Sequence, residues 1–319
     1  MYPNIAISNR VYPAHLSEVF CDVYQDLYIQ RKSFGKKTAE NAMLKLALNG
    51  TYGKSNDKYS VFYDPQYTMT ITINGQLSLL MLADMLLQIE GLRIVQLNTD
   101  GITVAIPVDR EEEYAKCCDN WQKQVKLELE FVDYKAMFIR DVNSYIAVKT
   151  DGSVKRKGAY QWKREELGWH QNQSSLVIPM VAEQIMLKSF ESNIDEEQID
   201  SEIIGMLKQH YEADEKNKFD FLLRTKVDRS SRLVLRFEDG SEKELQRICR
   251  YYPCKTGGKL IKLMPALEKN KTEDGEAEDR NLSIDAAWNV KPCNNMLDFH
   301  GDIDYDYYVS EVRKLLIEF

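Results

Sequence analysis

The 319-residue sequence has no CxxC pair among its six cysteines, and its four histidines are scattered along the chain. Structural zinc sites draw on closely spaced Cys and His residues, and disulfide scaffolds belong to small secreted chains. No apolar run approaches the roughly 20 residues of a membrane span, and the first residues lack a basic and then apolar secretory signal. These absences argue against a zinc cluster, a disulfide framework and a membrane span, and they predict free thiols and a cytoplasmic location.

The net charge of −8 argues against a protein that coats nucleic acid through bulk attraction. The positive charge is nevertheless clustered, in residues 31–37, 155–164 and 247–262. Such clustering leaves room for a local basic groove, which the net charge of the whole chain hides. The composition, 44% hydrophobic and 29% charged, is typical of a globular chain long enough for two or more modules.

The most informative stretch runs from Leu92 to Ile106 and reads LRIVQL, then NTDG, then ITVAI. Two β-rich apolar runs around a four-residue turn predict a tight hairpin. In one interpretation this is only a turn between buried strands, since Asn98, Asp100 and Gly101 are common turn residues. In the other, the hairpin holds Asp100 at a sheet edge as a metal-binding carboxylate.

The first 150 residues alternate between strand-like and helical patterns. Thr38 can cap a helix that ends at Asn49-Gly50, and Asn74-Gly75 predicts a turn. Helices are predicted over 15–29, 38–50, 76–91 and 111–126, and strands over 1–7, 59–73, 92–106, 127–139 and 144–150. Strands mixed with helices on one face indicate an α+β module over residues 1–25 and 60–150, from which the intervening helical pair projects.

The pattern changes after Trp162. Helices are predicted over 177–190, 195–212 and 302–319, strands over 221–225 and 232–237, and a basic loop at Gly257-Gly258.

Lys45, Asn49 and Tyr52 form a second group of candidate residues. Lys45 and Asn49 lie four apart and share a helix face. A lysine on such a face is usually only solvated, and a tyrosine beside glycines often only packs. The functional alternative is an ammonium that donates to phosphates, with an amide and a phenol one and two turns further on.

Lys155, Lys157 and Tyr160 form the third group, in the basic stretch KRKGAYQWKR. A basic run after a β-turn is often a solvated edge. Alternating lysines followed by an aromatic residue also suit backbone phosphates in a nucleic-acid groove.

Taken in order, four stretches resemble the motifs of the family B (polymerase-alpha-like) DNA polymerases, especially phage-encoded ones. The tail of the first palm motif, DxxSLYPS, stands as Met1-Tyr2-Pro3-Asn4, and the fingers motif KxxxNSxYG is matched by KLALNGTYG. The third motif, DTDS on a hairpin, stands as Asn98-Thr99-Asp100-Gly101, and KRKGAY is similar to the KKRY-like element ahead of the thumb. Each motif alone is weak, but four in the family's order are strong.

The resemblance implies an α+β fold: a palm with an antiparallel sheet and helices on one face, short helical fingers, and a mostly helical thumb. The palm would cover residues 1–25 and 60–150, the fingers 26–59, and the primer–template grip and thumb 151–319. The implied activity is template-directed DNA synthesis, in which a primer 3′-hydroxyl receives a nucleotide from a dNTP.

The family's site residues carry over to matching positions. Two aspartates of the family hold two Mg²⁺ ions, which compensate charge on phosphoryl oxygens, and the third-motif ligand carries over to Asp100. Lys45 would bind the triphosphate with support from Asn49, and Tyr2 would stack under the sugar and exclude a 2′-hydroxyl. The implied DNA contacts are Tyr52, Gly53, Lys155, Lys157 and Tyr160.

The main departure concerns the first palm motif, whose metal-binding Asp would lie four positions before Met1. Asn98 also replaces the first acid of the third motif. We therefore expect an upstream polypeptide to supply that Asp and the exonuclease, and this chain alone to have little or no polymerase activity. A phage-encoded enzyme would act in the host cytoplasm. The alternatives are a non-catalytic nucleic-acid-binding remnant and an unrelated α+β protein with accidental matches.

Overall fold

The computed structural model describes residues 1–168, 173–192, 194–265, 280–284 and 288–317. The chain divides into two compact units, Met1–Val132 and Asp133–Phe319. Both mix helices with small antiparallel sheets, so the predicted α+β class is confirmed. The boundary lies inside the predicted palm range 60–150, because the strands that follow Val132 pair with one another and not with the hairpin of the first unit.

The first unit is mainly helical and contains one two-stranded antiparallel sheet. Its elements are α1 (Tyr2–Asn9), α2 (Val19–Ser33), α3 (Ala39–Lys54), α4 (Pro65–Leu86), β1 (Arg93–Leu97), β2 (Ile102–Ala105) and α5 (Glu111–Val125). All of the helices except α1 match predicted helices in type, and the predicted helix over 76–91 corresponds to the second half of α4, which begins earlier at Pro65. The hairpin is also confirmed, with Arg93 opposite Ala105 and Leu97 opposite Ile102.

Residues 59–73 were predicted to be strands. Residues 65–73 instead form the first part of helix α4. Asp64 caps this helix by accepting a hydrogen bond of 3.0 Å from the Tyr67 amide, and Pro65 occupies its first turn. Its buried positions recur every three or four residues: Tyr67, Ile71, Gly75, Leu79, Leu82 and Leu86. That spacing is helical, so the predicted strands and the predicted turn at Asn74-Gly75 are wrong.

The predicted strand over residues 1–7 is also a helix, α1. Proline is favourable in the first turn of a helix, where its missing amide hydrogen would have had no partner, and Pro3 lies in that turn. Ile5 and Ala6 are buried and fix α1 to the core of the first unit.

Helix α3 begins as predicted, because Thr38 Oγ1 accepts a hydrogen bond of 3.3 Å from the Asn41 amide. The predicted end at Asn49-Gly50 is wrong, since the helix continues to Lys54. Leu44 and Leu48 anchor it in the core, which offsets the cost of about 1 kcal/mol for a glycine inside a helix.

The second unit contains two antiparallel sheets and three longer helices among its described residues. A three-stranded sheet comprises β3 (Tyr134–Asp141), β4 (Ser144–Lys149) and β5 (Val154–Lys157). The helices are α6 (Val177–Glu191), α7 (Ile199–Ala213) and α8 (Tyr305–Arg313). They pack around a buried cluster that includes Phe221, Tyr252 and Tyr308.

A six-stranded sheet occupies the centre of the region predicted to be mostly helical, so that prediction for residues 151–319 is wrong. Its strands are β6 (Leu223–Lys226), β7 (Arg232–Arg236), β8 (Glu242–Leu245), β9 (Ile248–Met264), β10 (Arg280–Ile284) and β11 (Val290–Pro292). The predicted loop at Gly257-Gly258 lies inside β9. A Cβ on Gly257 would lie 2.2 Å from the Val290 carbonyl oxygen, so glycine is needed there for β11 to approach.

Helix α4 is long and apolar enough to cross a membrane by length and composition. About a third of its most apolar window is buried inside the protein, and core helices of soluble proteins pass the same test. This single helix is therefore weak evidence for a membrane span.

Candidate functional site

A cleft of about 870 Å³ opens in the first unit and brings together residues that are far apart in the sequence. Helices α1, α2 and α3, the β1–β2 hairpin and the segment after α5 all contribute to its walls, beside apolar side chains of α4 and α5. Five of the predicted site residues line this cleft: Tyr2, Lys45, Asn49, Tyr52 and Asp100. Gly53 is exposed but is not one of the lining residues.

Lys45 and Asn49 lie on the exposed side of α3. The orientation of the helix is set by Leu44 and Leu48, which are buried in the core. Tyr24 on α2 donates its hydroxyl proton to the carbonyl oxygen of Leu48 and ties the two helices together. Because residues four apart share a helix face, this packing directs both the ammonium and the amide to the cleft.

Two tyrosines stack on each other in the cleft. The ring centroids of Tyr2 and Tyr52 lie 4.3 Å apart with an interplanar angle of 29°. A hydrogen bond of 2.7 Å between the Tyr52 hydroxyl and Thr72 Oγ1 holds the Tyr52 ring in place. Partial burial raises the pKa of Tyr2 above its ordinary value, and Tyr52 and the Asp100 carboxylate act in the same direction. The Tyr2 phenol is therefore neutral at physiological pH.

Gly75 lies where α1 approaches α4 closely. A Cβ at that position would lie 2.9 Å from Met1 Cε, 3.3 Å from Ile5 Cδ1 and 3.5 Å from Tyr2 Cε1. Glycine thus lets the start of α1 lie against α4, where it contributes Tyr2 to the cleft.

Asp100 stands on a tight turn that its neighbours stabilise. The Asn98 amide donates to the Gly101 carbonyl oxygen over 3.0 Å, and Asn98 Oδ1 accepts from the Asp100 amide over 3.1 Å. The first bond joins the backbones of Asn98 and Gly101, and the second joins the Asn98 side chain to the Asp100 backbone. The carboxylate of Asp100 is left exposed at the cleft.

Two opposite charges, Lys45 and Asp100, line the cleft without pairing with each other. Among the residues that the structure describes, neither Lys45 nor Asp100 makes an ion pair, although both border the same space. Lys32, another cation of the cleft, already has partners. Its Nζ lies 3.4 Å from Glu128 Oε2 and 4.9 Å from the Tyr28 ring centroid. Lys45 and Asp100 are therefore charged groups of the cleft that are open to a ligand.

Several polar cleft residues were not predicted from the sequence, among them Asn4, Tyr28 and Arg31. Asn4 Nδ2 donates to the Tyr28 hydroxyl over 3.3 Å. Arg31 Nε donates to Asn41 Oδ1 over 3.3 Å, and Asn41 Nδ2 donates back to the Arg31 carbonyl oxygen over 3.0 Å. The basic run 31–37 was the available signal, and it does not distinguish Arg31 from its neighbours.

The donor set of the cleft suits a magnesium ion only in part. Mg²⁺ prefers oxygen ligands and is commonly held by one or two carboxylates together with waters and substrate phosphates. Asp100 is such a carboxylate, but in the described part of the chain no group of three or more His, Cys, Asp or Glu residues could hold a metal. Asp100 can thus supply one ligand, and a two-metal site needs a further carboxylate.

In the second unit, the basic run that begins at Lys155 lies partly in β5, at the edge of the three-stranded sheet. Lys157 is exposed, whereas Lys155 is half-buried with its ammonium 5.6 Å from the Tyr145 ring centroid. Burial alone would lower the pKa of Lys155, but hydrogen bonding to Tyr145 and Tyr134 outweighs it and raises the pKa. Lys157 is therefore the more accessible of the two cations.

Tyr160 does not reach the surface, so the prediction that its side chain contacts DNA is wrong. The residue is fully buried and donates its hydroxyl proton to the Leu315 carbonyl oxygen over 2.7 Å. Its ring belongs to the core of the second unit. A tyrosine next to a basic run is ambiguous in sequence, because both core tyrosines and stacking tyrosines occur there.

Neither the family models nor the curated protein sequences with which this chain was compared give a match. The function is therefore inferred from the residues and the geometry of the cleft.

Proposed function

We propose that this chain is the C-terminal palm, fingers and thumb portion of a family B DNA polymerase that transfers nucleotides from dNTPs to a primer 3′-hydroxyl. The observation that carries the proposal is the cleft itself. Residues from three separate motif-like stretches, represented by Tyr2, Lys45 and Asp100, line one space of about 870 Å³. Accidental motif matches give no reason for the residues to converge in this way.

The cleft has groups suited to a nucleoside triphosphate. The Lys45 ammonium is a compact positive charge that can donate to phosphate oxygens, and Asn49, one turn further on, can donate or accept beside it. The stacked rings of Tyr2 and Tyr52 offer a flat apolar surface next to this polar side. This arrangement can hold the phosphates at one end and the sugar and base at the other.

Phosphoryl transfer is accelerated mainly by positioning and by compensation of charge on the phosphoryl oxygens. Asp100 would be one ligand of the family's Mg²⁺ ions, which supply that compensation when bound. Lys45 would hold the triphosphate for in-line attack, and Asn49 would orient it. The Tyr2 ring, braced by Tyr52, would lie under the sugar and oppose a 2′-hydroxyl.

The second metal-binding carboxylate is proposed to come from an upstream polypeptide, which would also carry the exonuclease. Asp100 by itself would hold two divalent cations poorly, because the repulsion between the cations must be offset by more than one negative ligand. The other carboxylates that line the cleft, Glu128 and Glu130, pair with Lys32 and Lys36. The complete enzyme would then be cytoplasmic and would act on primer–template DNA, with exposed Lys157 contributing to the grip on the duplex.

The test is primer extension with Mg²⁺ and dNTPs, with and without the upstream polypeptide. Extension is expected only in the reconstituted mixture. Asp100→Ala should lower that extension by at least about 10²-fold, the loss typical when one electrostatic stabiliser is removed, while primer–template affinity stays nearly unchanged. The matched control is Asp84→Ala, which removes an exposed carboxylate from α4 outside the cleft.

Normal extension by the Asp100→Ala variant would show that the central assignment is wrong. A reconstituted mixture that binds primer–template DNA but never extends it would favour the alternative, a nucleic-acid-binding remnant without catalytic activity.

A further inference from the structure

Two arginines face each other on the outer side of the six-stranded sheet. Arg224 on β6 is the direct cross-strand partner of Arg250 on β9, and Lys226 lies two residues further along β6, opposite Ile248. Burial alternates along β6 and along residues 248–251 of β9: Leu223 and Cys249 are buried, whereas Arg224 and Lys226 are exposed and Arg250 is partly exposed. The three cations therefore share the solvent-facing side of this strand pair.

Like charges directly opposite each other destabilise a sheet unless a counter-charge offsets them. Elsewhere in this sheet that offset is present. Arg236 Nη2 lies 2.6 Å from Glu242 Oε1, and Lys262 Nζ lies 3.2 Å from Asp228 Oδ2. In the described part of the chain, Arg224, Lys226 and Arg250 have no acidic side chain within ion-pair distance.

We propose that this face, defined by Arg224, Lys226 and Arg250, binds the phosphate backbone of a nucleic acid. The inference rests on the proposed function, which already places a nucleic-acid substrate on this protein. A guanidinium presents a planar fork of donors that matches phosphate oxygens, and two such forks on facing strands offer adjacent phosphate contacts. A phosphate between the arginines would also supply the missing counter-charge, so binding and relief of repulsion would be coupled.

The experiment measures fluorescence anisotropy of the full chain with a labelled primer–template duplex over a series of salt concentrations. Each lost phosphate contact reduces the slope of log affinity against log salt by about 1. Arg224→Ala and Arg250→Glu should both lower affinity several-fold at low salt and flatten the slope. Arg236→Ala is the matched control, since Glu242 already offsets that charge in the same sheet.

Arg250→Glu separates binding from folding. It creates an opposite-charge pair with Arg224 across the strands, so its melting temperature should equal or exceed that of the wild-type protein while its DNA affinity falls. A loss of affinity with retained stability supports the proposal. Unchanged affinity and slope in both variants would overturn it.

Two further arms identify the ligand. Comparing a single-stranded oligonucleotide of the template sequence with the duplex shows which of the two this face binds. If the variants bind either ligand more weakly than the wild-type protein does, the phosphate contact is supported. A labelled polyglutamate that binds in an Arg224-dependent manner while DNA does not would overturn the proposal in favour of an acidic protein partner.

The outcomes are distinguishable from failure of the proposed function. If reconstituted extension succeeds but the variants keep the wild-type salt slope, this inference alone fails. If the variants flatten the slope but no mixture extends a primer, the binding face remains and the polymerase assignment fails.

Discussion

The buried ion pair of the second unit gives a sharp prediction for stability. Arg156 Nε and Nη2 lie 2.5 and 2.7 Å from the two carboxylate oxygens of Glu183, and both side chains are only 6% exposed. Trp162 Nε1 donates to the same carboxylate over 2.9 Å. In Arg156→Ala the Glu183 carboxylate would stay buried with Trp162 as its remaining close donor. We expect the free energy of unfolding to fall by about 3–5 kcal/mol.

Urea unfolding followed by tryptophan fluorescence measures this change. With a slope of about 2 kcal/mol per M urea, the midpoint should fall by about 1.5–2.5 M. Lys116→Ala is the control: it removes an ion pair with Glu112 whose side chains are 75% and 84% exposed, and it should cost less than about 0.5 kcal/mol.

The double variant Arg156→Met/Glu183→Leu tests the reason for the loss. Replacing both charges with apolar side chains leaves no uncompensated charge, so stability should return to within about 1 kcal/mol of the wild type. A single variant that costs less than about 1 kcal/mol would show that the Glu183 carboxylate is hydrated. A double variant as unstable as the single one would show that packing, and not charge, dominates.

Two further predictions concern backbone geometry and pH. Gly158→Ala should lower the free energy of unfolding, measured by thermal denaturation, by about 2 kcal/mol or more, because φ is +59° and a Cβ would lie 2.3 Å from the Asn143 carbonyl oxygen. The control is Gly152→Ala, where φ is +82° and the space around a Cβ is open, so the loss should be only about 1 kcal/mol. Burial alone would raise the pKa of Asp220. Hydrogen bonds from His210 and from the Arg164 guanidinium outweigh this effect and hold the pKa below its ordinary value. Its contribution is therefore present above about pH 4 and lost as pH falls through the depressed pKa, so Asp220→Asn should cost about 1–3 kcal/mol at pH 7 and progressively less below pH 4 in urea unfolding.

Sequence patterns predicted helices best where capping and burial agree. Thr38 and the leucines of α3 predicted the start of that helix correctly. The start of α5 also agrees with the prediction, and this helix has an acidic first turn and a buried Trp121. The first half of helix α4 was mispredicted because its early residues, TMTITI, alternate in polarity like a strand. The spacing from Tyr67 to Leu86 and the cap at Asp64 outweigh that local alternation.

The long strand β9 was missed for a different reason. Gly257-Gly258 indicates a loop by composition, but the second glycine would place a Cβ 2.8 Å from the Arg236 carbonyl oxygen. Both glycines allow close approach of neighbouring strands rather than a turn. Such a requirement arises only from the tertiary arrangement and cannot be read from a local sequence window.

For the cleft, the residues themselves gave separate candidate groups, and only the family resemblance implied that they share one site. Asp100 and Lys45 were chosen from separate motifs, and the structure brings both to one cleft. Tyr160 was chosen on the same kind of evidence and is buried. The difference is that Lys45 and Asp100 are charged and would be costly to bury unpaired, whereas a tyrosine can be buried once its hydroxyl finds an acceptor.

In the proposed polymerase site, Asn98 stands where the third motif of the family has its first acid. Asn98 Oδ1 accepts the hydrogen bond from the Asp100 amide that closes the turn, and a carboxylate oxygen could accept the same bond. The amide therefore preserves the turn and the presentation of Asp100, and what it removes is one negative charge beside that residue. The hairpin geometry and the metal-binding charge are thus separate properties of this motif. Asn98 leaves the hairpin geometry intact, so in the proposed site the hairpin supplies the Asp100 carboxylate alone, and the second metal-binding carboxylate would come from the first palm motif.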